Sequence, residues 1–468
     1  MTLNRDAIPV VAVFDVGKTN KKLFLFDENY NIVFERSARF IETEDEDGDP
    51  CENLESLRLS IFDSLSEVFK NPAFEVKSIN FATYGASFVY IDEAGKPLAP
   101  LYNYLKEYPE SLKKQFYNEY GGEDAFSNQT ASPVLGSLNS GMQLYRFKYE
   151  QPELFKKLKY ALHLPQYLSY LISGEAHSDI TSIGCHTNLW DFMKNTYHEW
   201  VEKEGIAEKL APIVASDSVM PAAFPGSNYA VGAGFHDSSA ALIPYLVSFS
   251  EPFILLSTGT WCISLNPFNA SPLTAEELKN DCLCYLQYQG KPVKASRLFA
   301  GYEHEQQVKR IAAHYKTDII KYRSVPYDPK IIAALESLAE EDEELTSAKT
   351  LKESAFGSRD LSLISSDTVA YHQLILDLVN AQYVSTQMVL TGTQVKRIFV
   401  DGGFSKNVIF MNLLARAFPK VEVFAAHMAQ ATAVGAAIAI HDTWNTKPMP
   451  NDIIGLKYYS LLRPQKTS

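Results

Sequence analysis

Two segments far apart in the chain share one local grammar: an apolar strand, a small turn of Gly and Thr, and a second apolar strand. They are Val10 to Asp27 (VVAVFDVGKTNKKLFLFD) and Pro252 to Pro267 (PFILLSTGTWCISLNP). Each turn exposes backbone N–H groups and hydroxyls where a phosphate can sit, and the glycine at the bend lets the backbone come close. Two such hairpins imply two halves gripping one polyphosphate. With 468 residues, 46% of them hydrophobic, the chain can build two cores of ordinary domain size.

The remaining composition removes several classes of function. No apolar run approaches the roughly 20 residues that span a bilayer, and Met1 to Val10 lacks the apolar core of a secretory signal. The expectation is a cytoplasmic protein without a membrane partner. Five cysteines, an odd number scattered along the chain, do not form a disulfide framework. Cys282 and Cys284 stand one residue apart, but zinc needs about four ligands and no second Cys or His pair lies at suitable spacing. A formal net charge of −13 argues against nucleic acid, which demands a basic surface. Local donors must then meet any anionic cofactor. The acidic runs Glu42 to Asp49 and Glu340 to Glu344 read as solvated loops or helix ends. His163, His177 and His186 keep no metal-binding interval and read as structural, which leaves His236 as the histidine of a site.

Strands alternate with helices in both halves, which predicts an α/β fold. In the first half the hairpin is followed by a helix over about 54–69, a strand from Ser78, the turn Thr83-Tyr84-Gly85-Ala86-Ser87 and a strand from Phe88. Further helices are expected near Gly141 to Tyr149 and Gln166 to Ile172. A helix of small residues begins at Asp237. The halves divide near Pro244 to Pro252, giving a first domain over 1–245 and a second over 246–468. There an amphipathic helix, about 367–390, is stopped at Gly392. A strand from Arg397 then runs into Asp401-Gly402-Gly403, and a helix covers Asn407 to Phe418.

Gly17-Lys18-Thr19 looks like the end of a P-loop and is not one. That motif needs an earlier glycine where this chain has Ala12, and it must be followed by a helix, whereas Lys21 to Phe26 reads as a strand. Asp15 ends an apolar strand beside the turn, where a carboxylate can hold the waters of a magnesium ion; a turn-initiating Asp would look the same. Asp401 to Asn407 delivers two glycines to a helix N-terminus, a place that binds anions or admits a planar group, or simply a tight strand-to-helix turn. In Gly234 to Ala241, Asp237 is either a helix cap or a carboxylate that takes a proton from an attacking hydroxyl.

Together these residues resemble the FGGY carbohydrate kinases, part of the ribonuclease-H-like superfamily that also holds actin and hexokinase. The resemblance covers nearly the whole chain. Asp15-Val16-Gly17-Lys18-Thr19-Asn20 is similar to the first phosphate motif, His236-Asp237 to the catalytic turn, Ser257 to Trp261 to the second phosphate motif, and Asp401-Gly402-Gly403 with Asn407 to the adenosine motif. Phe88-Val89, Asp92 to Gly95 and Leu164 to Leu168 resemble the rhamnulokinase-like branch. The resemblance implies two ribonuclease-H-like domains flanking a cleft, with ATP on the second and sugar mainly on the first. It implies Asp237 as general base and Asp15 near Mg²⁺. Gly17, Lys18, Thr19, Asn20, Gly259 and Thr260 would line the phosphates; Gly301, Glu305, Gly402, Gly403 and Asn407 would hold the nucleotide; Tyr84, Gly85, Ala86, Asn103, Gln166 and His236 would meet the sugar. Three features depart from the family. Lys18 replaces a small hydroxyl residue and either contacts phosphate or points to solvent. Leu101 to Lys106 stands where relatives carry Asp and Arg, and Gln166 replaces a frequent Asp.

The expected reaction is transfer of the ATP γ-phosphoryl group to a hydroxyl, the terminal one, of a ketose or polyol such as L-rhamnulose, L-fuculose or a pentulose, by a monomer or homodimer. Two other classes remain open on the residues: a catalytically silent sugar- or nucleotide-sensing relative, and an ATPase of the actin or chaperone type.

Overall fold

The computed structural model describes residues 7–18, 20–38, 42–340, 351, 354–428, 430–450 and 452–459. It falls into two compact units that are not continuous in sequence. Unit 1 holds the chain up to Ser248 together with Cys284–Pro292 and Gln430–Ile453; unit 2 holds Phe249–Leu283, Val293–Ala429 and the chain from Ile454. The domain expectation of 1–245 and 246–468 treats each half as one stretch, whereas two later segments return to the first unit.

In unit 1, Val10, Val11, Ala12 and Val13 are all fully buried in strand Ile8–Val16, as befits a strand covered on both faces. It pairs antiparallel with Lys21–Phe26, which pairs antiparallel with Ile32–Ala38. On its other side it runs parallel to Phe74–Thr83, which continues parallel to Ala230–Gly232 and Phe235–His236. Helix Leu54–Lys70 starts on Asn53, whose Oδ1 accepts the Ser56 N–H at 2.9 Å, and buries Leu57, Ile61, Leu65 and Val68 in the sheet's core. Helix Leu164–Ser173 begins with Pro165 in its first turn and stops at Gly174.

Unit 2 repeats this order of pairings. Phe253–Thr258 is antiparallel to Cys262–Asn266, which is antiparallel to Pro292–Leu298; on the far side Phe253–Thr258 is parallel to Arg397–Gly402, then Glu422–His427. Helix Asp367–Leu390 starts on Ser366 and lays Leu374, Ile375, Leu378 and Val379 into that core. An antiparallel three-strand start followed by parallel strands, twice over, is the two-domain α/β fold the sequence predicts.

Helix Ala431–Ala439 belongs to unit 1. Gly435 lets it close on the helix of Asp237, since a Cβ there would stand 1.9 Å from the Ala240 carbonyl oxygen, and Asn80 Nδ2 donates to the Ala436 carbonyl at 2.8 Å. The acidic run from Glu42 is not a solvated loop. It forms the hairpin Glu42–Glu44 with Pro50–Glu52, and buried Asp45 holds the Lys106 ammonium at 2.5 Å, with Asp47 at 2.7 Å and Asp49 at 3.3 Å. This is the one three-acid cluster among the described residues, and a lysine fills it. Past Glu340, the second acidic run lies outside the described residues. Among the described residues no helix is long and apolar enough to cross a membrane.

Candidate active site

The first hairpin closes by a Gly17 N–H to Asn20 carbonyl bond of 2.8 Å, and a Cβ on Gly17 would press within 3.1 Å of that same oxygen. Asn20 is exposed at the turn; Thr19 lies outside the described residues. Lys18 takes neither of the courses open to it on sequence. Its ammonium stands 3.5 Å from buried Glu52 and about equally over the rings of Tyr84 and Tyr104, at 5.9 and 6.0 Å. Lys21 reaches the same carboxylate at 3.0 Å, so one buried acid gathers two lysines, as an acid that far from water must.

Asp15 ends the central strand, and Asp237 is the first residue of helix Asp237–Ser248. Asp237 does not reach the N–H two or three residues on, as an N-cap would. Its Oδ1 accepts the Ser238 N–H at 2.6 Å and the Ser238 hydroxyl at 3.1 Å, and its side chain keeps 33% of its surface in solvent. Asp15 is pushed up from 3.8 to about 7, first by burial, then by the charge of Asp237, with Lys22 pulling the other way. Across about pH 4 to 7 the folded chain thus keeps a proton that the unfolded chain has lost. Stability from this group falls as pH rises through that window and is flat above it. The full gap is on the order of 4 kcal/mol. Asp15→Asn is therefore expected to melt above the wild type at pH 8 and level with it near pH 4; melting curves that coincide at pH 8 would rule this out.

The loop Tyr84, Gly85, Ala86 lines a cavity of about 180 Å³ with His163, Cys185 and His236. Burial holds His163 down to about 3, and its Nε2 meets the Ser140 hydroxyl at 2.9 Å, which fits the structural role expected of it. Gln166 is fully buried and donates to the carbonyls of Ala233 and Gly234 at 3.2 and 2.9 Å, propping the turn ahead of His236. Asn103 is turned to other partners, donating to the Pro50 carbonyl and accepting the Leu105 N–H. Its neighbour Tyr104, not among the expected site residues, stacks near Tyr84 at 5.7 Å. The Tyr104 hydroxyl is raised by burial, then by Asp237, which places it in the field of that carboxylate.

In unit 2 the second hairpin closes by a Gly259 N–H to Trp261 carbonyl bond of 2.9 Å, and the Thr260 carbonyl accepts the Tyr302 N–H at 3.1 Å. Gly301 makes that approach possible, since its Cβ would fall 1.8 Å from the Gly259 carbonyl oxygen. Thr258 binds the adenosine-motif turn to the hairpin: its carbonyl accepts the Gly403 N–H at 2.8 Å and its hydroxyl accepts the Phe404 N–H at 3.0 Å. The motif gave Thr258 no role, and only the parallel register of the two strands supplies one. Asn407 caps helix Val408–Ala417, accepting the Ile409 and Phe410 N–H groups at 3.0 Å each, and its Nδ2 donates to the Tyr371 hydroxyl at 2.8 Å. Glu305 is exposed and paired with Lys309 at 2.6 Å.

The structure thus gathers Asp15, Asp237, His236 and the 84–86 loop in unit 1. In unit 2 it gathers Gly259, Thr260, Gly301, Gly402 and Gly403.

Residues 10–236 match the N-terminal domain described for the FGGY family of carbohydrate kinases, and residues 250–448 match the C-terminal domain, carbohydrate kinase FGGY. A rhamnulokinase of Halalkalibacterium halodurans is 23% identical over 262 residues, 53% of this chain and 52% of that protein. One from Mannheimia succiniciproducens is 23% identical over 274 residues, 54% of this chain and 52% of that protein. The aligned stretch spans about half the length of these relatives. Among solved structures, a carbohydrate kinase from Novosphingobium aromaticivorans superposes with a TM-score of 0.79 at 23% identity, covering 98% of this chain and 95% of that one. A ligand-bound xylulose kinase from Lactobacillus acidophilus gives 0.74 at 14%, covering 97% and 94%. At these identities the superpositions speak to fold.

Proposed function

The chain belongs to the FGGY family of carbohydrate kinases, and on that premise we propose that it transfers the γ-phosphoryl group of ATP to the terminal hydroxyl of a ketose or related polyol. The observation that carries the reading is the Asp15 and Asp237 pair. One carboxylate ends the central strand, the other opens a helix, and the charge of the second raises the pKa of the first.

Asp237 is the general base. As the acceptor oxygen bonds to phosphorus, its proton passes to Asp237 and the bond from phosphorus to the bridging oxygen breaks, leaving ADP and a sugar phosphate. The Tyr84 to Ala86 loop, Tyr104 and His236 surround the acceptor end of unit 1. Gly17 and Asn20 offer main-chain groups to phosphate there, as Gly259 and Thr260 do in unit 2, where Gly301, Gly402 and Gly403 leave bare backbone for the nucleotide. Asp15 fits Mg²⁺: it is a hard oxygen donor whose ionisation is opposed by its surroundings, so a dication would favour it. When bound, the ion would neutralise charge on the phosphate oxygens.

The test is ADP release with Mg-ATP against a panel of acceptors, beside a control without sugar. L-Rhamnulose comes first, since both named relatives are rhamnulokinases, followed by L-fuculose, ribulose, xylulose, glycerol and erythritol. Stimulation by one acceptor supports the kinase and names its substrate. Equal release without acceptor would replace the kinase with an ATPase. Asn103 and Gln166, both committed to main-chain partners, favour a second reading, a silent sugar-sensing relative; nucleotide binding with no release for any acceptor would select it.

A further inference from the structure

His236 stands among the expected sugar contacts, yet the structure gives its ring to the protein. The residue is 3% exposed. Its main-chain N–H donates to Thr181 Oγ1 at 3.1 Å, its Nδ1 lies 3.3 Å from Ser239 Oγ, and its Nε2 lies 3.3 Å from Asp237 Oδ1. Ser239 in turn lies 3.3 Å from the Leu286 carbonyl oxygen, and Tyr285 packs on the ring at 5.3 Å. Gly85 is fitted to the ring edge that faces Asp237: a Cβ there would stand 2.7 Å from Cδ2 and 2.9 Å from Nε2.

Burial lowers the pKa of His236, against the pull of Asp237, so the imidazole is neutral and carries one N–H. Beside an ionised carboxylate that hydrogen belongs on Nε2, which leaves the Nδ1 lone pair to accept the Ser239 hydroxyl. The His236 ring and both Ser238 donors all meet Oδ1 of Asp237. Oδ2 is left for the acceptor's proton.

We propose that His236 is a positioning residue that acts through Asp237: its Nε2–H holds Oδ1 so that Oδ2 faces the hydroxyl to be phosphorylated, and Gly85 ties the acceptor loop to that ring. The proposal rests on Asp237 being the base. A side chain held this way sets the geometry of proton transfer, and small misplacements of a catalytic group are costly.

The test compares His236→Gln, which keeps an N–H near Nε2, with His236→Leu, which fills the space without a donor, each alone and with Asp237→Asn. Folding is checked by melting temperature and by binding of a non-hydrolysable ATP analogue. His236→Leu is expected to lose about 10²-fold in kcat with both KM values within about threefold of wild type, and His236→Gln to regain at least tenfold of that loss. On the Asp237→Asn background the leucine should cost nothing further, as for residues that act as a unit. Equal losses for Gln and Leu would reduce His236 to packing, and a raised acceptor KM at unchanged kcat would make it a sugar contact; either overturns the proposal. Should His236→Leu fail to fold, Ser239→Ala takes its place, with a several-fold fall in kcat expected and an unchanged kcat overturning it. Wild-type turnover in Asp237→Asn would instead remove the base reading, and a wild type without acceptor-dependent turnover would remove the kinase reading.

Discussion

Asp237→Asn will bind nucleotide as the wild type does and lose about 10² to 10⁴-fold in kcat, the range a positioned general base supplies. The substitution is close to isosteric, and an amide Oδ1 can still accept the Ser238 N–H that now meets the carboxylate. Helix Asp237–Ser248 therefore keeps its start, and the loss is one of proton transfer rather than of fold. Calorimetry with an ATP analogue should give an affinity within about threefold of wild type, while coupled ADP release with the best acceptor collapses. A second readout comes from Asp15, whose raised pKa owes its second-largest cause to Asp237. Removing that charge lowers the Asp15 pKa, so the stretch of pH over which stability declines should end at a lower pH in the variant. An Asn variant that turns over at the wild-type rate would leave Asp237 with no catalytic part.

Neighbouring glycines of one motif are expected to differ sharply in what they tolerate. Gly402 has φ +88° and its Cβ would stand 2.0 Å from the Thr258 carbonyl oxygen; Gly403 has φ −62° and its Cβ would meet the same oxygen at 3.8 Å, an ordinary contact. The turn cannot back away, because that oxygen also accepts the Gly403 N–H. Gly402→Ala combines a left-handed backbone, about 1–2 kcal/mol, with overpacking of about 1–3 kcal/mol. A destabilisation of about 2–5 kcal/mol follows for the transition of unit 2, with a parallel fall in nucleotide affinity. Gly403→Ala should stay within about 1 kcal/mol of wild type. Denaturant curves for the pair check this, and equal losses at the two positions would contradict the geometry.

What could be read without coordinates was local. The hairpins announce themselves because apolar strand, Gly/Thr turn and apolar strand are contiguous. Asp237 was legible as a helix start for the same reason, small residues following an acid. Partners across the fold were not legible. Lys18 finds Glu52, 34 positions on, by way of the hairpin Glu42–Glu52, whose acidic run looked like a solvated loop. Tyr104 owes its place beside Tyr84 to the packing of a loop with no periodic signal. Asn407 fits the family motif by type, yet serves here as a helix cap with a tyrosine partner, because an amide at that position satisfies two N–H groups no other side chain reaches. Gln166 and Asn103 were chosen for where relatives hold sugar and are spent on carbonyls instead.

Unit 1 draws its last helix from Ala431–Ala439, which leaves the ribosome after most of unit 2 has been made. Until it arrives, the Asp237 helix lacks the surface that Gly435 fits against Ala240, and Asn80 lacks its acceptor on Ala436. The half of the protein that begins synthesis first is thus completed almost last. A nascent chain spends that interval with an uncovered apolar face, in need of a chaperone's cover. For the same reason a protease cut just before Ala431 would strike the acceptor end of the molecule, although in sequence it lies far from every residue that meets the sugar.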